Sequence, residues 1–290
     1  MSKEYYVIIK ALFILLALHF APAYYNNVLE TSLPYEETQK RLTNAYNELL
    51  DENQVSPGIF IVGTLAGNGE RDRKHKNRKR DTIIYVPNSI DTDRPVDVIF
   101  FFHGLGGFSE RDFKTRILRH TKLFERNKRN YILAVPEMPW SKNTTTPRSR
   151  QGRVFTSPLD FPRFVNSVTD RVQTSFSLSS ELKINTAILT GHSAGGSTLK
   201  SISRSGGLDW LYSEKGVQSV RIIFSDAGYG RWTQTTWRNF KMRSSPNTEF
   251  IFLTRRWDRP YNNTVRFLKR FRSIPNNVLH NVFERKNFSH

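Results

Sequence analysis

One serine in the chain lies in a setting that suits nucleophilic catalysis. Ser193 is the centre of a Gly-His-Ser-Ala-Gly motif at 191–195, which follows the apolar segment 184–190. A strand that turns sharply into a helix forces the residue at the turn into a sparsely populated backbone conformation. Glycines two positions away on either side remove the side chains that would collide there. The motif therefore predicts that the Ser193 hydroxyl stands clear of the sheet and that the Ala194 N–H points to the atom under attack.

The segments that would position this serine alternate between strand and helix patterns. The predicted strands are 58–65, 81–87, 96–104, 131–136, 184–190, 220–226, 249–254 and 277–285. The predicted helices are 34–53, 109–127, 160–176, 194–204 and 262–272. This alternation predicts an α/β fold with a mostly parallel central sheet and helices on both faces. No internal repeat or long linker divides the chain, which predicts one domain.

A second glycine-rich motif, FFHGLGG at 101–107, ends an earlier predicted strand that is continuously apolar. Together with the motif around Ser193, it makes the sequence similar to the α/β-hydrolase superfamily, in its esterase, lipase and peptidase branch. The resemblance covers roughly residues 58–290. It implies a three-layer α/β-hydrolase fold and a serine hydrolase activity.

The same resemblance implies roles for the backbone beside the two motifs. The N–H groups of Leu105 and Ala194 would form the oxyanion hole, which holds the negative charge of an acyl-transfer intermediate. His103, just before the first of these positions along the chain, would be structural and would anchor the turn.

A serine nucleophile needs a base, and the base needs an acid that orients it. The resemblance implies the order serine, acid, histidine, and only His280 and His290 follow Ser193. His280 lies inside the last predicted strand, where packing is its expected role, whereas His290 follows that strand, where members of the superfamily carry the base. Asp226 in SDAGYG is favoured as the acid over Asp258, which has the commoner position but lies among arginines that would pair with it. The predicted triad is Ser193, Asp226 and His290, with Asp258 and His280 as the alternatives.

The beginning of the chain has the pattern of a secretory signal peptide. Lys3 and Lys10 precede a short uncharged apolar run, which is followed by Ala-Pro-Ala at 21–23. The apolar run is shorter than the roughly 20 residues that a membrane-spanning helix needs, so cleavage after Ala23 is favoured over an uncleaved anchor. The predicted organisation is a signal peptide at 1–23, a helical extension at 24–57 and a hydrolase domain at 58–290, in a secreted or periplasmic protein.

The charge of the chain indicates its surroundings. Lys and Arg number 44 against 26 Asp and Glu, giving a formal net charge of +18. The basic run 71–80 falls between two predicted strands and would be an exposed hairpin tip that meets an anionic polymer or a membrane surface. No specific nucleic-acid target is predicted. The chain has no cysteine, and its seven histidines show no metal-ligand spacing, so no metal and no cofactor is expected.

Two classes of function are compatible with these patterns. The first is an exported serine hydrolase that cleaves a carboxylic ester of a small molecule or polymer through an acyl-enzyme on Ser193, or a peptidase or amidase of the same fold. The second is a non-catalytic protein of this fold that binds an anionic polymer. A serine followed by an aspartate and a histidine favours the enzyme.

Overall fold

The computed structural model describes residues 58–67, 81–104, 130–138, 154–256 and 258–283. Its strands are β1 (Ile59–Thr64), β2 (Asp81–Val86), β3 (Val96–Phe102), β4 (Tyr131–Pro136), β5 (Ile184–His192), β6 (Ser219–Ser225), β7 (Thr248–Arg255) and β8 (Val278–Phe283). Its helices are α1 (Asp160–Ser175), α2 (Gly196–Arg204), α3 (Gly207–Ser213), α4 (Trp232–Asn239) and α5 (Arg259–Leu268), with 3₁₀ turns at Ser193–Gly195 and Lys241–Ser244. The predicted segments 1–23, 24–57 and 109–127, the basic run 71–80, Leu105 and His290 lie outside the described residues.

All eight strands form one sheet in the order β1-β2-β4-β3-β5-β6-β7-β8. β2 pairs antiparallel with both β1 and β4, and every other pair from β4 to β8 is parallel. The antiparallel pairing of β1 with β2 is the one predicted for the strands on either side of the basic run. Parallel strands end at the same edge, so the carboxyl ends of β3, β5, β6 and β7 meet where ligands bind in open α/β sheets.

The central strands are buried on both faces. Side chains alternate along β3, so Phe100 and Phe102 point to one face and Ile99 and Phe101 to the other, and all four are almost fully buried. Such burial explains why β3 reads as a continuous apolar run. The predicted fold class, a mostly parallel α/β sheet, is confirmed.

Aromatic side chains attach helices to the first of these faces. Phe161 of α1 meets Phe100 edge to face with ring centroids 5.8 Å apart, and Phe267 of α5 lies 5.8 Å from Phe252. Trp237 of α4 packs on Phe250 at 4.9 Å. Among the described residues, no helix is both long and apolar enough to cross a membrane.

Helix boundaries differ from the sequence prediction in the last third of the chain. Neither α3 nor α4 was predicted, and α5 begins at Arg259 instead of 262. Pro260 fits the first turn of α5 because proline lacks only an N–H that has no partner inside the helix there. α4 is short and contains three threonines, so its helical propensity is weak and the packing of Trp237 on the sheet stabilises it.

Candidate active site

Ser193 occupies a strained turn between β5 and α2. Its φ is +48°, in the left-handed region that a residue with a side chain rarely adopts. A Cβ at Gly191 would lie 2.8 Å from the carbonyl of Gly195, and a Cβ at Gly195 would lie 2.0 Å from the Phe102 carbonyl oxygen. Both positions therefore require glycine, and the sharp turn predicted from the motif is confirmed.

The His103-Gly104 turn at the end of β3 packs directly on this serine. A Cβ at Gly104 would lie 2.9 Å from Ser193 Cβ and 3.0 Å from His192 Nδ1. The backbone of the His103-Gly104 turn therefore contacts the sharp turn at Gly191–Gly195, called the elbow below. The Met138 N–H donates to His103 Nε2 at 2.9 Å, and His103 Nδ1 therefore carries the proton and donates to the Gly104 carbonyl oxygen at 2.8 Å.

Both ring nitrogens of His103 thus bond to backbone groups, one in its own turn and one just after β4. They tie the carboxyl end of β3 to that of β4, as expected of a structural histidine. Leu105, which the sequence analysis gives one oxyanion N–H, is the next residue after Gly104 and lies outside the described residues.

Asp226 is placed beside the serine by the sheet itself. Ser225 of β6 is paired with His192 of β5, so Asp226 and Ser193 are the first residues past the paired ends of adjacent strands, which lie about 4.8 Å apart. Asp226 has φ +42°, its N–H donates to the Leu253 carbonyl at 2.8 Å, and its Oδ1 accepts the Arg255 N–H at 2.9 Å. Burial raises the pKa of this carboxyl, and the Arg255 N–H acts in the opposite direction.

Asp258 has a different environment. It precedes α5 as the N-cap residue, and its carboxylate accepts a hydrogen bond from Arg255 Nε in a partly exposed ion pair. This is the arginine pairing that the sequence analysis weighed against a catalytic role for Asp258. Its charge also raises the pKa of Asp226, and Arg255 contacts both carboxylates, Asp226 through its N–H and Asp258 through Nε.

His280 lies within β8, in register with Phe252 of β7. Its Nε2 is hydrogen-bonded to Thr254 Oγ1 at 2.8 Å, the Tyr261 ring lies 5.9 Å away, and burial lowers its pKa. β8 is three strand spacings from β5, about 14 Å, so the His280 imidazole does not reach Ser193. The structure therefore brings together Ser193 and Asp226 but not His280, and the predicted base His290 lies outside the described residues.

Three features now stand together: the strand order with β2 antiparallel, a serine elbow at the end of β5, and a His-Gly turn from β3 against that serine. The chain has the α/β-hydrolase fold. No protein-family model matches the sequence, and no curated protein matches it either.

Several solved structures similar to this hydrolase fold are esterases. A feruloyl esterase module from Clostridium thermocellum, in complex with sinapinate, is 14% identical over 91% of this chain and 89% of its own, with a TM-score of 0.45. A thermostable carboxylesterase from a metagenomic library is 12% identical over 89% of both chains, also at 0.45. An esterase from Pyrobaculum calidifontis is 11% identical over 88% of this chain and 85% of its own, at 0.43. Because these scores are low, the fold assignment rests on the strand order and the elbow.

One residue near the site that the sequence analysis missed is Tyr229, in the loop after β6. Burial raises the pKa of its phenol, the charge of Asp226 raises it further, and Ser193 acts in the opposite direction. The only signal of Tyr229 in the sequence is its position three residues after Asp226 in a loop of small residues. Among the described residues, no three His, Asp or Glu side chains group as metal ligands.

Proposed function

We propose that the protein is a serine hydrolase that cleaves a carboxylic ester through an acyl-enzyme on Ser193. The observation that carries the proposal is the elbow: Ser193 is held at φ +48° beside Asp226 and against the His103-Gly104 turn. A protein gains no stability from a strained serine, whose backbone conformation costs on the order of 1–3 kcal/mol. Such strain is typical of positions where function requires it.

In this mechanism His290 takes the proton of the Ser193 hydroxyl as the oxygen attacks the ester carbonyl. The backbone N–H groups of Ala194 and Leu105 hold the resulting oxyanion, and the tetrahedral intermediate collapses as His290 returns the proton to the leaving alcohol. Water then attacks the acyl-enzyme with the same base, releasing the acid and restoring the serine. Asp226 orients His290 and stabilises the imidazolium that forms at each step.

The length of chain after β8 is compatible with this role for His290. His290 is the seventh residue after Phe283, and seven extended residues span at most about 24 Å. The distance from β8 to β5 is about 14 Å. The Arg256 N–H donates to the Phe283 carbonyl at 3.0 Å, which holds the end of β8 beside β7 at the edge where Ser193 lies. The chain after Phe283 can therefore reach the serine.

A fluorophosphonate probe tests the proposal, because it labels only a serine whose nucleophilicity is raised. The wild-type protein should be labelled at Ser193, and the S193A variant should not react. The matched control is S201A. Ser201 lies in α2, eight residues after Ser193, and its hydroxyl donates to the Ser197 carbonyl, so its loss should leave labelling unchanged.

H290A should lower labelling and ester turnover by at least about 10³-fold with the fold intact. H280A should mainly lower the free energy of unfolding, because it removes the hydrogen bond with Thr254.

A well-folded wild-type protein that takes no label would contradict the hydrolase proposal and favour the second candidate, binding of an anionic polymer. One observation supports that candidate. Between residues 228 and 283, the described part of the chain has nine exposed cations and no exposed carboxylate. The cations are Arg231, Arg238, Lys241, Arg256, Arg259, Arg266, Lys269, Arg270 and Arg272. Whether the substrate is an ester or an amide, and export through segment 1–23, stay predictions from the sequence.

A further inference from the structure

Two exposed arginines lie at the edge of the sheet where Ser193 lies. A helix that follows a parallel strand begins at the carboxyl edge, and this places Arg231, just before α4, and Arg259, the first residue of α5, at that edge. Both side chains are exposed, and among the described residues neither guanidinium has an ion-pair partner. Both are therefore available to bind a negatively charged group.

The first arginine is placed near the serine by the start of α2. The ring of its neighbour Trp232 packs on that helix, since a Cβ at Gly196 would lie 3.1 Å from Trp232 Cε3. Gly196 is only three residues after Ser193, at the end of the same sharp turn. The Trp232 N–H also donates to the Tyr229 carbonyl at 3.2 Å, which fixes the backbone on either side of Arg231. Only the Trp232 side chain therefore separates the Arg231 backbone from the start of α2.

The second arginine is placed by the contact between α5 and the loop after β6. Pro260, directly after Arg259, packs on that loop, since a Cβ at Gly228 would lie 2.7 Å from the Pro260 carbonyl oxygen. Gly228 is two residues after Asp226, whose Oδ1 accepts the Arg255 N–H at 2.9 Å. Arg259 therefore begins its helix against the loop that carries the proposed acid.

The excess of positive charge at this edge is local. The described parts of the loops after β6 and β7 contain two carboxylates: Asp226 is buried, and Asp258 is in an ion pair. At the opposite edge, the loops that lead into β5 and β6 contain exposed Glu181 and Glu214 beside lysines, and Lys215 Nζ bonds Glu181 at 2.8 Å. The net charge of +18 is therefore not spread evenly over the two edges.

The chemistry of arginine indicates what such an edge would bind. The planar guanidinium donates two parallel hydrogen bonds to a carboxylate, sulfate or phosphate, and cations around a site raise the rate at which anions reach it. We propose that the ester substrate carries a negatively charged group on its acyl or alcohol side, and that Arg231 and Arg259 bind this group while Ser193 attacks the ester carbonyl. The inference rests on the proposed function and specifies its class of substrate. Neither arginine exchanges a proton, because a guanidinium stays charged.

Two fluorophosphonates of equal chain length test the inference through the rate at which Ser193 is labelled. One ends in a carboxylate and the other in the neutral carboxamide. The wild-type protein should react faster with the carboxylate probe. R231Q/R259Q should slow that reaction alone, roughly 10–100-fold, because hydrogen bonds to a charged group are lost. Added salt should weaken the preference of the wild type in the same direction.

The matched control is R171Q/K183Q, which removes two exposed charges, one from α1 and one from the opposite edge, just before β5. This variant should react with both probes at the wild-type rates. R231K/R259K keeps both charges but loses the paired N–H groups of the guanidinium, so it should keep only part of the preference.

A set of esters then locates the charge on the substrate. One ester carries a carboxylate on its acyl chain, a second carries it on its alcohol, and each is compared with its neutral carboxamide counterpart. For at least one of the two, kcat/KM should be higher for the charged ester, and R231Q/R259Q should lower kcat/KM for that ester alone.

The outcomes separate this inference from the proposed function. A wild-type protein that takes neither probe overturns the hydrolase function and the inference with it. Equal labelling by the two probes overturns the inference alone. So does a preference for the carboxylate probe that R231Q/R259Q keeps, or that R171Q/K183Q loses to the same extent.

Discussion

Asp226 is buried and lies beside Ser193. Its burial lowers the stability of the fold at neutral pH, whereas its position suits the proposed catalytic role. Burial raises its pKa, so the charged form is unfavourable in the folded protein. A carboxyl whose pKa is higher in the folded state than in the unfolded chain binds its proton more tightly when folded, and stability falls as the pH rises through that range. The proposed catalytic role of Asp226 would account for a buried carboxyl beside Ser193 whose charge is unfavourable for stability at neutral pH.

The D226N variant tests this balance. Asparagine keeps the shape and can accept the Arg255 N–H, but it has no charge to desolvate and cannot stabilise an imidazolium. We expect ester turnover to fall by about 10³-fold or more, as for the acid of a triad, while Tm at neutral pH stays equal or rises. D258N is the control: it breaks a partly exposed ion pair with Arg255 and removes a charge that raises the pKa of Asp226, and it should keep most activity. Equal losses in both variants, or a lower Tm in D226N, would contradict the assignment.

The sequence alone was enough to predict Ser193 and its turn, because the glycine requirement is local and its spacing is fixed by one strand-to-helix connection. It also favoured Asp226, which lies at the end of the neighbouring strand. The position of Tyr229 could not be predicted, because it depends on how Ala227 packs on Gly196 and Gly228 on Pro260. No spacing along the chain encodes those two close approaches.

At the scale of elements, the elbow is a place where β3, β5 and α2 approach one another closely. Gly195 has ordinary helical backbone angles, with φ −57°, so its requirement for glycine is purely spatial: its Cβ would lie 2.0 Å from the Phe102 carbonyl oxygen. Gly216 requires glycine for its backbone angle alone. Its φ is +70°, but nothing lies within 4 Å of its Cβ position. Alanine at Gly195 therefore tests the effect of a steric clash, and alanine at Gly216 tests the effect of backbone strain.

We expect G195A to lower the free energy of unfolding by about 3 kcal/mol and to abolish labelling of Ser193, because the β3 backbone cannot move without moving the His103-Gly104 turn. G216A should cost only about 1 kcal/mol of strain and label at the wild-type rate. Chemical denaturation and probe labelling measure both effects. If G195A kept wild-type labelling, α2 would be less closely packed on β3 than described.

Strands and helices could be predicted where the sequence has a long apolar pattern, and less well where packing between distant residues decides whether a helix forms. The strands of the sheet follow from their buried runs, and α1 follows from its helical spacing. The helices between β6 and β8 do not. α4 forms because Trp237 contacts Phe250 of β7 and Phe267 of α5, and α5 takes Arg259 and Pro260 into its first turn. These contacts join residues distant in sequence, so local propensity underestimates both helices.

At the scale of the whole molecule, the net charge of +18 is unevenly distributed. α4 and α5 pack beside each other, and their exposed cations have few carboxylates nearby: Asp258 is paired with Arg255 and Glu249 with Arg221. By contrast, Arg171, Lys183 and Arg204 are exposed on a part of the chain that also carries Asp170, Glu181 and Glu214. We propose that the α4–α5 surface, formed by the exposed cations of these two helices and of the residues just after α5 (Arg238, Arg259, Arg266, Lys269 and Arg270), and the basic run 71–80 attract an anionic polymer.

Retention on immobilised heparin tests this distribution against net charge alone. The triple variant R266Q/K269Q/R270Q should elute at clearly lower salt than wild type, because each cation that contacts a polyanion releases counterions and steepens the salt dependence by about one unit of slope. A second variant that neutralises Arg78, Lys79 and Arg80 in the basic run should also elute earlier. The control R171Q/K183Q/R204Q removes the same three charges from the mixed region and should elute close to wild type. If the R266Q/K269Q/R270Q variant and this control shifted equally, retention would follow net charge, and no particular surface would bind the polymer.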